Sequence, residues 1–206
     1  MVRKQNSCSK PAPTRSERRE AERRRAILLA AARAFRARGF AATGMRDIAE
    51  AADLSAANLY YYFRSKQDLL YYCQDHSLDR MLAAARVAQQ SGAPASERLA
   101  AVIRAHLGCL LDELDGAAAH LEIDALEEPL RTRIVAKRDR YETALRDLIA
   151  RGVRTRAFAP CDAALIARAM LGAMNWTARW YRPQGELSPA ELAEGYARYL
   201  VKGLLP

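Results

Sequence analysis

Apolar residues recur three and four positions apart along most of the chain, the spacing of one buried face of an α-helix. The first such stripe is Ile27, Ala31, Ala34 and Phe35, in a helix that begins near Glu17 and stops at Gly39, because glycine accepts the left-handed backbone that ends many helices. Thr43 reads as the N-cap of a second helix reaching about Ala52 and burying Met45, Ile48 and Ala49. Asp53-Leu54 is a tight turn, and Asp is one of the few non-glycine residues that tolerate positive φ there. Ser55 caps a short third helix, Ala56 to about Phe63, with Leu59 and Phe63 facing inward.

Ser65 opens a long helix from Lys66 to about Gln90, and Ser91-Gly92-Ala93-Pro94 breaks the pattern. Further helices are predicted from Ser96 to about Leu114, Ala118 to Leu126 and Leu130 to about Thr155. Asp162 then caps a helix ending at Trp180, and the last helix runs from Pro189 to about Gly203. The pattern therefore predicts an all-α protein of about nine helices with no strand and no internal repeat. Alanine-rich composition with few Gly or Pro inside the long segments agrees.

Charge divides the chain more sharply than hydropathy does. The net charge is +9, and residues 1–66 hold 15 Lys and Arg against 6 Asp and Glu, whereas residues 67–206 hold 18 of each sign. The whole cationic surplus therefore sits on the first three helices and what precedes them, which is the electrostatic footprint of nucleic-acid binding. We divide the chain into a disordered basic tail (1–16), a helix-turn-helix unit (17–66) and a neutral helical body (67–206). Two short helices meeting at a tight turn lay the second into the DNA major groove. Asn58, near its start, carries a side-chain amide that can pair bidentately with adenine, and Ala56 and Ala57 allow close approach. Arg46, Thr43, Tyr61, Tyr62 and Lys66 are placed for phosphate or groove-edge contacts, and Tyr60 stands between core and surface. The basic residues at the N-terminus are expected to bind phosphates without sequence preference.

Residues 20–70 resemble the DNA-binding domain of the TetR family of transcriptional repressors. The resemblance rests on Ala42-Thr43 through Ile48-Ala49, Ala52, Leu59-Tyr60-Tyr61-Tyr62-Phe63, Lys66 and Leu69-Leu70. It departs at Asp53, where the family usually has glycine. The resemblance implies DNA contacts from Thr43, Arg46, Ser55, Ala57, Asn58, Tyr61, Tyr62 and Lys66, and a homodimer released from a palindromic operator by a small ligand. The segment from Met170 to Ser188 is similar to regulators of this family that answer to acyl-CoA thioesters in fatty-acid or steroid catabolism.

The body must then supply an interface and a ligand pocket. Helix 162–180 is apolar on nearly all sides, so it has two faces to cover. Leu165, Arg168, Ala169, Gly172, Ala173 and Trp180, with Leu192, Tyr196 and Tyr199 of the last helix, are the expected dimer contacts. Tyr72, His76, His106, Leu110, Arg140, Trp176 and Trp180 are the expected pocket residues. Arg133, Lys137 and Arg140, or Arg179 and Arg182, are candidate phosphate contacts for a thioester.

Other classes find less support. The three histidines share no helical spacing with one another or with a cysteine, so no metal is expected. The four cysteines lack CxxC spacing and read as small apolar residues of a reducing compartment. No catalytic motif and no cofactor motif is present, so an enzyme is not expected. The absence of a long apolar run predicts a cytoplasmic, nucleoid-associated protein without membrane contact. Competing readings are a drug-responsive repressor of an efflux gene and an architectural DNA-coating protein without an effector.

Overall fold

A computed structural model describes residues 14–111, 122–182 and 184–206. Among these residues there are eight α-helices, one short 3-10 turn (Ile123–Ala125) and no strand. Helix α1 spans Arg15–Arg38, α2 Met45–Ala51, α3 Ala56–Tyr62, α4 Lys66–Gln90 and α5 Ala95–Leu111. After the 3-10 turn come α6 (Leu130–Arg154), α7 (Ala163–Trp180) and α8 (Pro189–Lys202). The expected helix from Ala118 to Leu126 survives only as that turn within the described residues, and the end expected near Leu114 lies outside them.

The N-terminus of α1 corrects the sequence reading. Residues 14–16 belong to the helix and not to the tail: Thr14 caps it, accepting from the Glu17 amide at 3.2 Å, while the Glu17 carboxylate accepts from the Thr14 amide at 2.6 Å. This reciprocal pair satisfies two donors that a helix start leaves bare. The first thirteen residues of the expected tail lie outside those described.

Helix α2 departs in a similar way. Its N-cap is Gly44, whose amide donates to the Asp47 carboxylate at 2.7 Å. Thr43 is buried instead, and its hydroxyl donates to the Gly39 carbonyl at 2.8 Å. The carbonyls that end α1 take up the hydroxyl assigned to α2, because an exposed helix end leaves them unpartnered. The turn between α2 and α3 does follow expectation, with Asp53 at φ 52°.

Apolar faces of all the helices join one core. Ile27, Phe35, Ile48, Leu59 and Phe63 fill the space between α1, α2 and α3, and Leu69, Leu70 and Cys73 carry it along α4. In the body, α5 packs along α8 and beside α4, and α6 lies between α4 and α7. Gly152 on α6 is buried directly under the ring of Phe158, which turns the chain into α7.

Candidate functional site

The exposed end of the molecule is α3 with its approaches. Ser55 accepts from the Asn58 amide at 3.2 Å, which ends the Asp53 turn and starts the helix. Leu59 is fully buried and anchors one side, leaving Ser55, Ala57, Asn58, Tyr60 and Tyr61 exposed and Ala56 half-buried. Tyr61 is 78% exposed and meets Tyr62 edge-on at 5.1 Å, so its hydroxyl points away from the core. Tyr60, left ambiguous by the sequence, is exposed as well. Arg46 on α2 is exposed too.

Two residues read as phosphate donors have internal work instead. Thr43 is 1% exposed with its hydroxyl committed to α1, which removes that side chain from the contact set. Lys66 turns inward: its ammonium donates to the carbonyls of Phe40 (2.6 Å) and Ala41 (3.3 Å) and lies 4.3 Å from the centre of the Phe40 ring. It therefore ties the loop after α1 to the start of α4. Next to it, the Gln67 amide donates to the Ala125 carbonyl at 2.7 Å and its oxygen accepts from the Glu127 amide at 3.1 Å. The first turn of α4 thus grips the head with one side chain and the body with the next.

The helical body holds a cavity of about 340 Å³ whose lining includes Leu78, Met81, His106, Ile123, Leu171 and Asn175. His106 is 2% exposed, with Nδ1 3.2 Å from the Tyr141 hydroxyl and Nε2 3.2 Å from Asn175 Oδ1. Burial pulls its pKa down to about 4, only partly opposed by the Asn175 contact, so the ring is neutral at ordinary pH. Burial pushes the Tyr141 hydroxyl well above its usual range, so it remains a hydrogen-bond donor. Arg138 also lines the cavity, its guanidinium donating to buried Gln74 at 3.3 Å and held below its ordinary pKa by desolvation.

Of the expected pocket residues, only His106 lines this cavity. Tyr72 instead stacks on His76 at 6.1 Å and meets Phe63 edge-on, and the His76 side chain is exposed on α4. Leu110 is fully buried in the general core, and Arg140 is exposed on the outer face of α6. Trp176 and Trp180 face outward, because α7 turns Ala167, Met170, Met174 and Thr177 toward its own protomer. Lys137 pairs with Asp75 and Asp79 across to α4, so it is not an available phosphate donor. Tyr141, Asn175 and Arg138 escape sequence reasoning as cavity residues: Tyr141 lies on the apolar face of α6 with Ile134, Leu145 and Leu148, where periodicity marks only core, and Asn175 and Arg138 sit on faces that it marks as core edge or surface.

The outward face of α7 carries Leu165 (63% exposed) and Trp176 (64%), with Arg168, Ala169, Gly172 and Trp180 also exposed and Ala173 half-buried. Tyr199 of α8 is exposed as well. Leu192 leaves the expected interface set, since it is buried within its own protomer. Tyr196 is half-buried, its hydroxyl 3.1 Å from that of Thr177, which ties α8 to α7.

Among the described residues no cluster of His, Cys, Asp or Glu is suited to a metal ion, and no helix is long and apolar enough to cross a membrane. A short exposed recognition helix beside a cationic α1, joined to a helical body with its own cavity, defines a helix-turn-helix regulator with a ligand-binding domain. Comparison with known proteins agrees. The family model for bacterial regulatory proteins of the tetR family matches residues 27–73, and that for the tetracyclin repressor-like C-terminal domain matches residues 92–204. The chain belongs to the TetR family of transcriptional regulators.

Its relatives include the HTH-type transcriptional repressor KstR2 of Rhodococcus jostii, 27% identical across 94% of this chain and 97% of that protein. The crystal structure of PfmR from Thermus thermophilus is 35% identical, covering 87% of this chain and 99% of that one with a TM-score of 0.78. AibR, solved in complex with isovaleryl coenzyme A and operator DNA, is 27% identical over 89% of this chain and 98% of that one, with a TM-score of 0.71.

Proposed function

We propose that the protein is a dimeric repressor that holds a palindromic operator and leaves it when an acyl-CoA thioester enters the body of each protomer. The observation that carries this is the exposed α3 surface, with Asn58 outward, on the segment that owns the chain's entire positive surplus. Asn58 reads a base, Ala57 lets the helix approach, and Arg46, Ser55, Tyr60, Tyr61 and Tyr62 fix its register on the backbone. Ala56, half-buried, supports that approach from the first turn. Lys66 and Thr43 serve the same contact indirectly, by holding the loop between α1 and α2.

The unpartnered apolar face of α7, with Tyr199, supports pairing about a two-fold axis through Leu165, Arg168, Ala169, Gly172, Ala173, Trp180 and Tyr196. Such pairing sets two α3 helices on successive turns of one DNA face. Residues 17–66 then form the reading unit and 67–206 the sensing unit, working in the cytoplasm on chromosomal DNA. The acyl-CoA ligand is supported by the AibR complex and by a cavity that Leu78, Met81, Ile123 and Leu171 line together with polar and charged side chains. Release follows from linkage: a ligand that favours a conformer with misplaced α3 helices weakens DNA binding by its differential affinity.

Fluorescence anisotropy with a duplex selected from a random pool tests the reading. The wild type is expected to prefer the selected duplex over scrambled DNA, and Asn58→Ala to lose about 1–3 kcal/mol of that preference. Equal affinity of the wild type for both duplexes would reject sequence-specific regulation in favour of an architectural role. Unchanged preference in Asn58→Ala would remove Asn58 from the reading set.

A further inference from the structure

Helix α1 is longer than its packing requires. Its first buried side chain is Ile27, so residues 15–26 form an overhang of about three turns, roughly 18 Å, that buries no side chain. A separate helix of that length is marginal in water. This one grows out of a packed helix, so its nucleus already exists, and it is built from Arg, Glu, Ala and one Ser behind the Thr14–Glu17 capping box. Such a segment presents charge and packs nothing. We propose that the overhang is one wall of a phosphate clamp whose other wall is the end of α3, so that a single DNA phosphate is gripped from two sides. The inference rests on the reading of α3 as the helix that meets the duplex.

Two distant stretches of chain supply the walls. Ser16, Arg19, Arg23 and Ala26 recur three and four positions apart, so they share one face of α1, and the row continues into buried Ala30. That face borders one groove together with Tyr61 and Tyr62. Ser16 and Ala26 are small and leave the wall to the two guanidiniums. Arg19 and Arg23 are exposed and hold no ion pair among the described residues. On the other wall the exposed ring of Tyr61 rests edge-on against half-buried Tyr62, which braces its hydroxyl as a donor.

Charge and continuity name the occupant. Residues 15–26 hold six arginines against three glutamates, and residues 1–13 add Arg3, Lys4 and Lys10 and no acid. Two glutamates border the groove. Glu20 is held by Arg24 at 3.0 Å, and Glu22 has Arg19 and Arg25 three positions to either side. A group with several anionic oxygens suits guanidinium forks on one side and a hydroxyl on the other. Because the groove adjoins the outward surface of α3, that group is a backbone phosphate of the half-site α3 occupies. The match to the family's DNA-binding model begins at residue 27, so this wall is added to the matched unit. A phosphate carries no base information, so the clamp holds the end of α3 in register while Asn58 reads from its start.

Anisotropy with selected duplexes that each carry a single neutral methylphosphonate maps the phosphates used by the full chain. For the wild type, neutralising the clamped phosphate is expected to weaken binding about tenfold. Arg19→Ala with Arg23→Ala, and separately Tyr61→Phe, should each weaken binding to the unmodified duplex and lose sensitivity at that same phosphate and at no other. The arginine variant should keep its preference for selected over scrambled DNA, and circular dichroism checks that α1 stays helical, alanine being the better helix former. Variants that respond to two different phosphates, or that keep the full wild-type sensitivity at every position, overturn the clamp while leaving base reading by Asn58 in place. Equal affinity of the wild type for selected and scrambled duplexes overturns the clamp and the regulator reading together.

Discussion

Replacing His106 by glutamine should flatten the acid side of the stability profile. The imidazole lies 2% exposed between Tyr141 and Asn175, and burial holds its pKa at about 4 against 6.5 for a free side chain. Above pH 6.5 the ring is neutral in both the folded and the unfolded chain, so its titration costs nothing. Below that value the unfolded chain takes up a proton that the folded protein resists until about pH 4. The unfolded state then binds more protons, so stability falls as pH falls. Between about pH 7 and about pH 5 the loss works out to about 2 kcal/mol for this one group. Glu17, Glu128, Glu191 and Glu194 are also held below the usual carboxylate range by hydrogen bonds, but they are common to both proteins and cancel in the difference. Urea unfolding at both pH values and one fixed protein concentration measures that difference, the fixed concentration being needed because association also stabilises. His106→Gln should be less stable than the wild type at neutral pH and lose about 2 kcal/mol less on acidification. Parallel acid losses in the two proteins would refute the buried neutral imidazole.

Gly152→Ala places a methyl in overlap with Cδ2 and Cε2 of the buried Phe158 ring, and should cost about 1–3 kcal/mol in urea unfolding; an unchanged midpoint would mean that the turn after α6 yields freely. Arg19 and Arg23 line one groove with Tyr61 and Tyr62, on the part of α1 that precedes the family match at residue 27. Arg19→Ala with Arg23→Ala should therefore lower the slope of log affinity against log salt by about 2, and an unchanged slope would take α1 out of the DNA footprint. Gln67→Ala cuts the paired hydrogen bonds to Ala125 and Glu127, beside the cavity residue Ile123. It should leave effector binding intact and shrink the effector-induced loss of DNA affinity, by part of the about 1–3 kcal/mol typical of such coupling. Undiminished release in that variant would show that the signal travels elsewhere.

The head is legible in the sequence because its signals are local. Leu59 and Phe63 one turn apart, Ser55 before a small-residue start and Asp53 at the turn each report on residues a few positions away. Local signals also mislead where two elements compete for one group. Thr43 looks like a cap, yet its hydroxyl serves the carbonyl end of α1, and the capping box from Thr14 to Glu17 is hidden inside a basic, proline-containing stretch.

The body is legible as helices but not as a site. His106 and Asn175 are 69 residues apart, and Gln67 is 58 residues from Ala125, so neither pairing leaves a trace in periodicity. The apolar-all-round pattern of α7 marks two faces in need of cover. It does not tell which of them meets the protomer's own core, and for that reason it places Trp176 and Trp180 in a pocket that they do not line.

The central claim is that one molecule couples a cavity ligand to the grip of α3 on DNA. The most direct measurement is anisotropy of a labelled selected duplex held by the protein while butyryl- or octanoyl-CoA is added at constant salt. The account predicts that the duplex is released as the thioester saturates the cavity, and that scrambled DNA is never held as tightly. Retention of the duplex at a thioester concentration shown by calorimetry to fill the site would contradict it.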